Sequence, residues 1–139
     1  MTAITNPHLS QIHALLAEKG YEVTDPAPDT LNIRETGSGI SVTAVLEGDI
    51  LFLSLICTVV PRNAITADLM AKMLDSNNGI STSAFQLYDA GKGKAAITLN
   101  NFCKLQDVGA DDEDDILSCL HFLLADVLTA RSLLSGLKS

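Results

Sequence analysis

The densest run of ionisable side chains is Asp111-Asp112-Glu113-Asp114-Asp115. Carboxylates are the ligands that Ca²⁺ and Mg²⁺ prefer, but an EF-hand loop alternates its ligands and turns on a glycine, and this run does neither. Five adjacent side chains entering a helix point in different directions. Acidic groups in a first turn complement the helix dipole, with Asp111 as the cap, so the run reads as the solvated start of a helix. His8 and His13 are five apart, a poor spacing for one helix face, and His121 stands two residues from Cys119, where helical side chains do not meet. Neither a paired-cysteine zinc spacing nor the helical His-Glu-x-x-His pattern occurs. Cys57, Cys103 and Cys119 are odd in number and read as reduced, buried thiols. Gly91-Lys92-Gly93-Lys94 has the composition of a phosphate loop but lacks the Walker spacing and the hydroxyl residue after its lysine. No Gly-x-Ser-x-Gly elbow is present, and no nucleophile, base and orienting group stand together in the sequence. The chain is read as non-catalytic, with no metal and no cofactor.

The elements that would position any site follow from hydrophobic spacing. Leu9, Ile12, Leu15 and Leu16 recur at helical intervals over Pro7–Lys19. Asn6 is a candidate cap, Pro7 suits the first helical position, and Gly20 suits the left-handed stop. Tyr21-Glu22-Val23 is extended, and Pro26 and Pro28 argue against regular pairing after it. Three strands are expected over residues 30–36, 40–46 and 50–60. Their short turns, Gly37-Ser38-Gly39 and Glu47-Gly48-Asp49, imply antiparallel neighbours. A helix is expected over residues 64–77, capped by Asn63 or Thr66, then strands over 83–89 and 94–103 joined by the Ala90–Gly93 turn. A leucine-rich helix runs from the acidic block to about Ser135. The order α-β-β-β-α-β-β-α predicts an α+β fold. We expect a two-layer sandwich with an antiparallel sheet of about five strands and helices packed on one face.

At 139 residues and 14.7 kDa the chain is the size of a single domain, read here as residues 1–139. It can bury roughly 68% of its unfolded surface. With 47% hydrophobic and 19% charged residues it is not a disordered acidic chain, despite a net charge of −8. That charge, with a pI near 4.6 and scattered Lys and Arg, removes the phosphate-neutralising attraction nucleic-acid binding needs. No uninterrupted apolar run reaches bilayer-spanning length, and the N-terminus has no basic, apolar signal pattern. These readings predict a cytoplasmic protein that binds neither nucleic acid nor membrane.

Residues 50–60 are apolar on both faces. Leu51, Leu53, Leu55, Cys57 and Val59 alternate with Ile50, Phe52, Ile56 and Val60. In a two-layer fold the second set has no helix over it. Ile50, Phe52, Ile56 and Val60 are therefore the expected partner-binding or dimer surface, with Val45 beside them. Leu117, Phe122, Leu124 and Leu128 widen the apolar arc of the last helix in the same sense.

The opening helix Leu9-x-x-Ile12-x-x-Leu15-Leu16 with Gly20-Tyr21 and the meander ending in Leu51-Phe52-Leu53-Ser54-Leu55 carry a family resemblance. So do Leu69-x-x-x-Met73-Leu74-x-x-Asn77, Phe85-Gln86-Leu87-Tyr88, Ala96-Ile97-Thr98-Leu99 and the C-terminal leucine-rich helix. In this order, over nearly the whole chain, they resemble the type III secretion chaperone-like superfamily. That superfamily includes the CesT-type chaperones and the YbjN-type candidate sensory regulators. The resemblance implies a homodimer that binds a client protein segment, partly by strand addition, and performs no catalysis. The alternative is a small-molecule-binding sensory domain with a pocket between sheet and helices near Cys57, Met73 and Cys103.

Overall fold

Pro7 opens the first helix where its missing N–H costs nothing. In the computed structural model, which describes residues 7–106 and 110–136, α1 spans Pro7–Glu18 and stops at Gly20, whose φ of +96° suits only glycine. Next come β1 (Glu22–Ala27), β2 (Thr30–Arg34), β3 (Ser41–Glu47) and β4 (Ile50–Pro61). A 3-10 turn, Arg62–Ala64, leads to α2 (Ala67–Leu74), β5 (Ala84–Gly91), β6 (Lys94–Lys104) and α3 (Ala110–Leu133). The strands form one antiparallel open sheet in the order β1-β2-β3-β4-β6-β5, and the fold is α+β.

The sheet has one strand more than expected. Thr24 and Ala27 of β1 pair with Asn32 and Thr30 of β2 around a register shift that takes up Asp25 and Pro26. Proline lacks a donor for a ladder, but at an edge strand and beside an irregularity none is demanded of it. Pro26 therefore blunts the strand without preventing it. α2 is shorter than expected. It starts behind Thr66, whose hydroxyl accepts from the Leu69 N–H at 3.1 Å, and the residues before it form the 3-10 turn. Asn6, the expected cap of α1, lies outside the described residues. Helix α3 already begins at Ala110, so Asp111 falls inside its first turn rather than at the cap.

The chain divides into two compact units. The first contains the residues up to Ser54 together with Phe102–Leu120, and the second contains Leu55–Asn101 and the residues from His121 onward. In the first unit α1 packs on β1 and β2 through Leu9, Ile12 and Leu16, all fully buried. The register sets Leu31 opposite Ala44 and Ile33 opposite Val42, then Ala44 opposite Leu53 and Leu46 opposite Leu51. Buried side chains therefore share one sheet face, and Ile116 and Leu120 of α3 are buried in the same unit. In the second unit Val60, Met73, Ile97 and Leu134 form a core cluster, against which Cys57, Ile65, Leu69 and Phe85 pack.

Helix α3 is long and apolar enough over Asp112–Leu133 to cross a membrane by length and composition alone, a test that core helices of soluble proteins also pass. Its Ile116, Leu120, Leu123, Val127 and Ala130 are buried in protein.

Candidate protein-binding face

Strand β4 alternates as its sequence demands over its first seven residues. Leu51, Leu53 and Leu55 are buried; Ile50 and Ser54 are partly exposed, and Phe52 and Ile56 are 39% and 63% exposed. Phe52 stands opposite Val45 of β3, itself partly covered. A second ring lies close by. Phe102 of β6 is 62% exposed and its centroid is 6.3 Å from that of Phe52, with the planes tilted by 42°. That separation is a favourable aromatic contact. The result is an aromatic pair on the open sheet face of the first unit. Phe102 was not among the expected residues, yet strand parity sets it opposite to Ile97, Leu99 and Cys103, on the face away from the core.

Val60 requires a correction. Alternation places it with Ile50, Phe52 and Ile56, but it is 0% exposed and belongs to the core cluster of the second unit. Cys57 and Val60 are three residues apart and both pack in that cluster, so the alternation breaks between them; Cys57, Thr58 and Val59 are all partly exposed. The cause lies just beyond. Pro61 ends the strand, the Arg62 N–H donates to the Gly93 carbonyl at 3.0 Å, and Ala64, Ile65 and Leu69 after the turn pack against the cluster that holds Val60. The outer arc expected on α3 also divides. Leu124 is buried and Leu117 partly so, while Phe122 and Leu128 are exposed.

The residues with chemical potential are distributed as follows. Of the acidic run, Asp112 is buried and its two carboxylate oxygens accept from the Gln106 N–H at 3.0 and 2.9 Å, while Glu113, Asp114 and Asp115 are exposed. Among the described residues, no three His, Cys, Asp or Glu side chains are grouped to hold a metal ion. Gly91, Lys92 and Gly93 all have positive φ and form the β5–β6 hairpin turn, with the Gly91 N–H donating to Asp89 at 2.9 Å. Cys57 and Met73 pack in one cluster, and burial pushes the Cys57 thiol up to about 11. Cys103 belongs to the other unit, beside Cys119. The hollow lined by Leu69, Lys72 and Leu133, about 400 Å³, is open to solvent.

Sequence reasoning also missed Asp126. It sits in the apolar stripe of α3 with Leu123, Val127 and Ala130, and is 3% exposed. The Ser81 N–H and hydroxyl donate to its Oδ1 at 2.9 Å each, and the Ser83 N–H to its Oδ2 at 3.2 Å. Burial pushes the carboxyl up, but these hydrogen bonds outweigh it and hold the group below the usual aspartate value. The signal in the sequence is a lone carboxylate at a core-facing helix position, which is costly without donors.

No family model and no curated protein matches the chain. Solved structures do. YbjN from E. coli, a candidate transcription regulator, superposes with a TM-score of 0.62 at 13% identity, covering 95% of this chain and 96% of that one. A chain of the heterodimeric ExoU–SpcU complex, from the type III secretion system of Pseudomonas aeruginosa, gives 0.58 at 18% identity. That match covers 91% of this chain and 98% of the other. The chain shares the fold of these two structures. At these identities the likeness is one of fold.

Proposed function

We propose that this chain is a non-catalytic protein-binding module of the cytoplasm, chaperone-like or regulatory, acting as one domain and as a homodimer. The observation that carries the reading is the Phe52–Phe102 pair, two large rings left exposed by a unit that buries Leu31, Leu46, Leu51 and Leu53 at near-completeness. Exposed aromatics are the residues that most often anchor protein interfaces. Ile50 and Ile56 of the same strand are proposed as further contacts. The ExoU–SpcU match adds support, because that structure is a complex of two proteins. Three cysteines with no disulfide suit a reducing compartment.

The test is light scattering during size exclusion at tens of micromolar, on the parent chain and on Phe52→Asp and Phe102→Asp. The reading expects a mass twice 14.7 kDa for the parent and 14.7 kDa for each variant, with all three giving native circular dichroism. A parent that runs as a monomer at about 0.15 M salt overturns the homodimer. Variants that unfold would show that both rings belong to the core.

A further inference from the structure

Cys103 ends the core-facing row of β6 and is buried; Cys119 lies on α3, beside the buried Leu120 and itself partly exposed. Both belong to the first unit. The Cys119 thiol donates to the carbonyl oxygen of Phe102, the residue preceding Cys103, at 3.6 Å. The two thiols are also near enough to shift each other's titration. We propose that Cys119 and Cys103 form an oxidation site, a peroxide-reactive thiol with its resolving partner, that closes to an intramolecular disulfide between α3 and β6.

The division of labour follows from position. An attacking thiol has to reach its oxidant, and Cys119 is the accessible member of the pair. The neighbouring Cys103 thiol draws the Cys119 thiol below its usual value. Cys119, burial and the charges of Asp115 and Asp112 push Cys103 up. Asp115 bears on both sulfurs and opposes negative charge at each, which favours a small neutral oxidant over an anionic one. In the first step the Cys119 thiolate attacks one oxygen of hydrogen peroxide. The O–O bond breaks, hydroxide leaves, and Cys119 becomes a sulfenic acid. In the second step the Cys103 sulfur attacks the Cys119 sulfur, the S–O bond breaks, and the Cys103 proton leaves with the hydroxyl as water. Two thiols are oxidised by two electrons and one peroxide is reduced to two waters. Cys57 takes no part: it lies in the other unit, packed against the core cluster, with its thiol pushed up to about 11.

This proposal is independent of the protein-binding reading. Its test uses the full chain, purified reduced, treated with hydrogen peroxide and then with iodoacetamide in denaturant. The expected product is a monomeric chain lighter by two hydrogens, with one alkylated cysteine, and with peptide mapping joining residue 103 to residue 119. Cys119→Ser should lose the cross-link completely. Cys103→Ser should also lose it and leave a sulfenic acid on Cys119 that dimedone captures. A link through Cys57, a link between two chains, or three alkylated thiols after peroxide overturns the proposal. Cys119→Ser, at a partly exposed position, keeps the test open if the buried Cys103→Ser fails to fold.

Discussion

A carboxylate inside a leucine-rich helix face is tolerable only while its donors stay in place. Asp126 is such a group, and its partners at Ser81 and Ser83 lie in the segment leading into β5. Replacing Asp126 by Asn keeps the shape but turns an amide donor toward N–H donors. We expect a loss of about 1.5–3 kcal/mol in urea unfolding at pH 7, the range for hydrogen bonds to a charged group. The pH dependence has a definite sign. The folded carboxyl titrates below its unfolded value, so its stabilisation is complete above pH ~4 and fades as pH falls through the folded value. The deficit of Asp126→Asn against the parent should therefore shrink in acid. An equal deficit at pH 7 and pH 3 would refute this account. Gly79 makes a second prediction at this scale. Its φ is +89°, and a Cβ there would meet Thr129 Cγ2 at 3.0 Å. Gly79→Ala should lower the unfolding free energy by about 1–2 kcal/mol, and pairing it with Thr129→Ser should recover only the steric part.

At the scale of the element, α2 depends on its first turn. The helix has eight residues, short enough that one cap matters, and Thr66 provides it. Thr66→Ala should cost about 1 kcal/mol by chemical denaturation, with faster amide exchange confined to α2. Most elements were legible because their period and punctuation agree. α1 has proline, stripe and glycine in order; β2, β3 and β6 alternate; α3 repeats leucine at helical spacing. β1 was hidden because two prolines in a short segment normally exclude a strand, and only the edge position makes Pro26 acceptable. The candidate face was partly legible. Phe52 and Ile56 follow from parity, whereas Val60 follows from the turn after Pro61, a tertiary effect that alternation does not encode. Phe102 became significant only when the sheet order set β6 beside β4.

For the whole molecule, the balance lies between exposed apolar area and charge. A fully buried phenylalanine is worth roughly 1.5–3 kcal/mol, so two half-exposed rings offer less than twice that, while association carries its own entropic cost. With Val60 in the core, the remaining residues must be joined by further surface to reach the roughly 1,000 Å² of a specific interface. Two chains of net charge −8 also repel. The proposed homodimer should therefore tighten as salt rises from about 0.02 to 0.15 M and the repulsion is screened. Sedimentation equilibrium across that range reads it directly, and weakening with salt would contradict an apolar, like-charged interface.

The two edges of the sheet differ in a way that matters for shelf life. β1 has Pro26 and a register shift; β5 is eight residues long, contains no proline, and exposes Leu87 and Tyr88. An unpaired ladder of that kind is a template for further strands, and charge repulsion is what keeps copies apart. That protection disappears near the pI of about 4.6. Fibril formation, followed by thioflavin fluorescence, should have its shortest lag near that pH, and Leu87→Lys should lengthen the lag while leaving the unfolding midpoint close to that of the parent. The proline in β1 is then a gatekeeper already in place, and β5 is the edge whose colloidal stability rests on solution conditions.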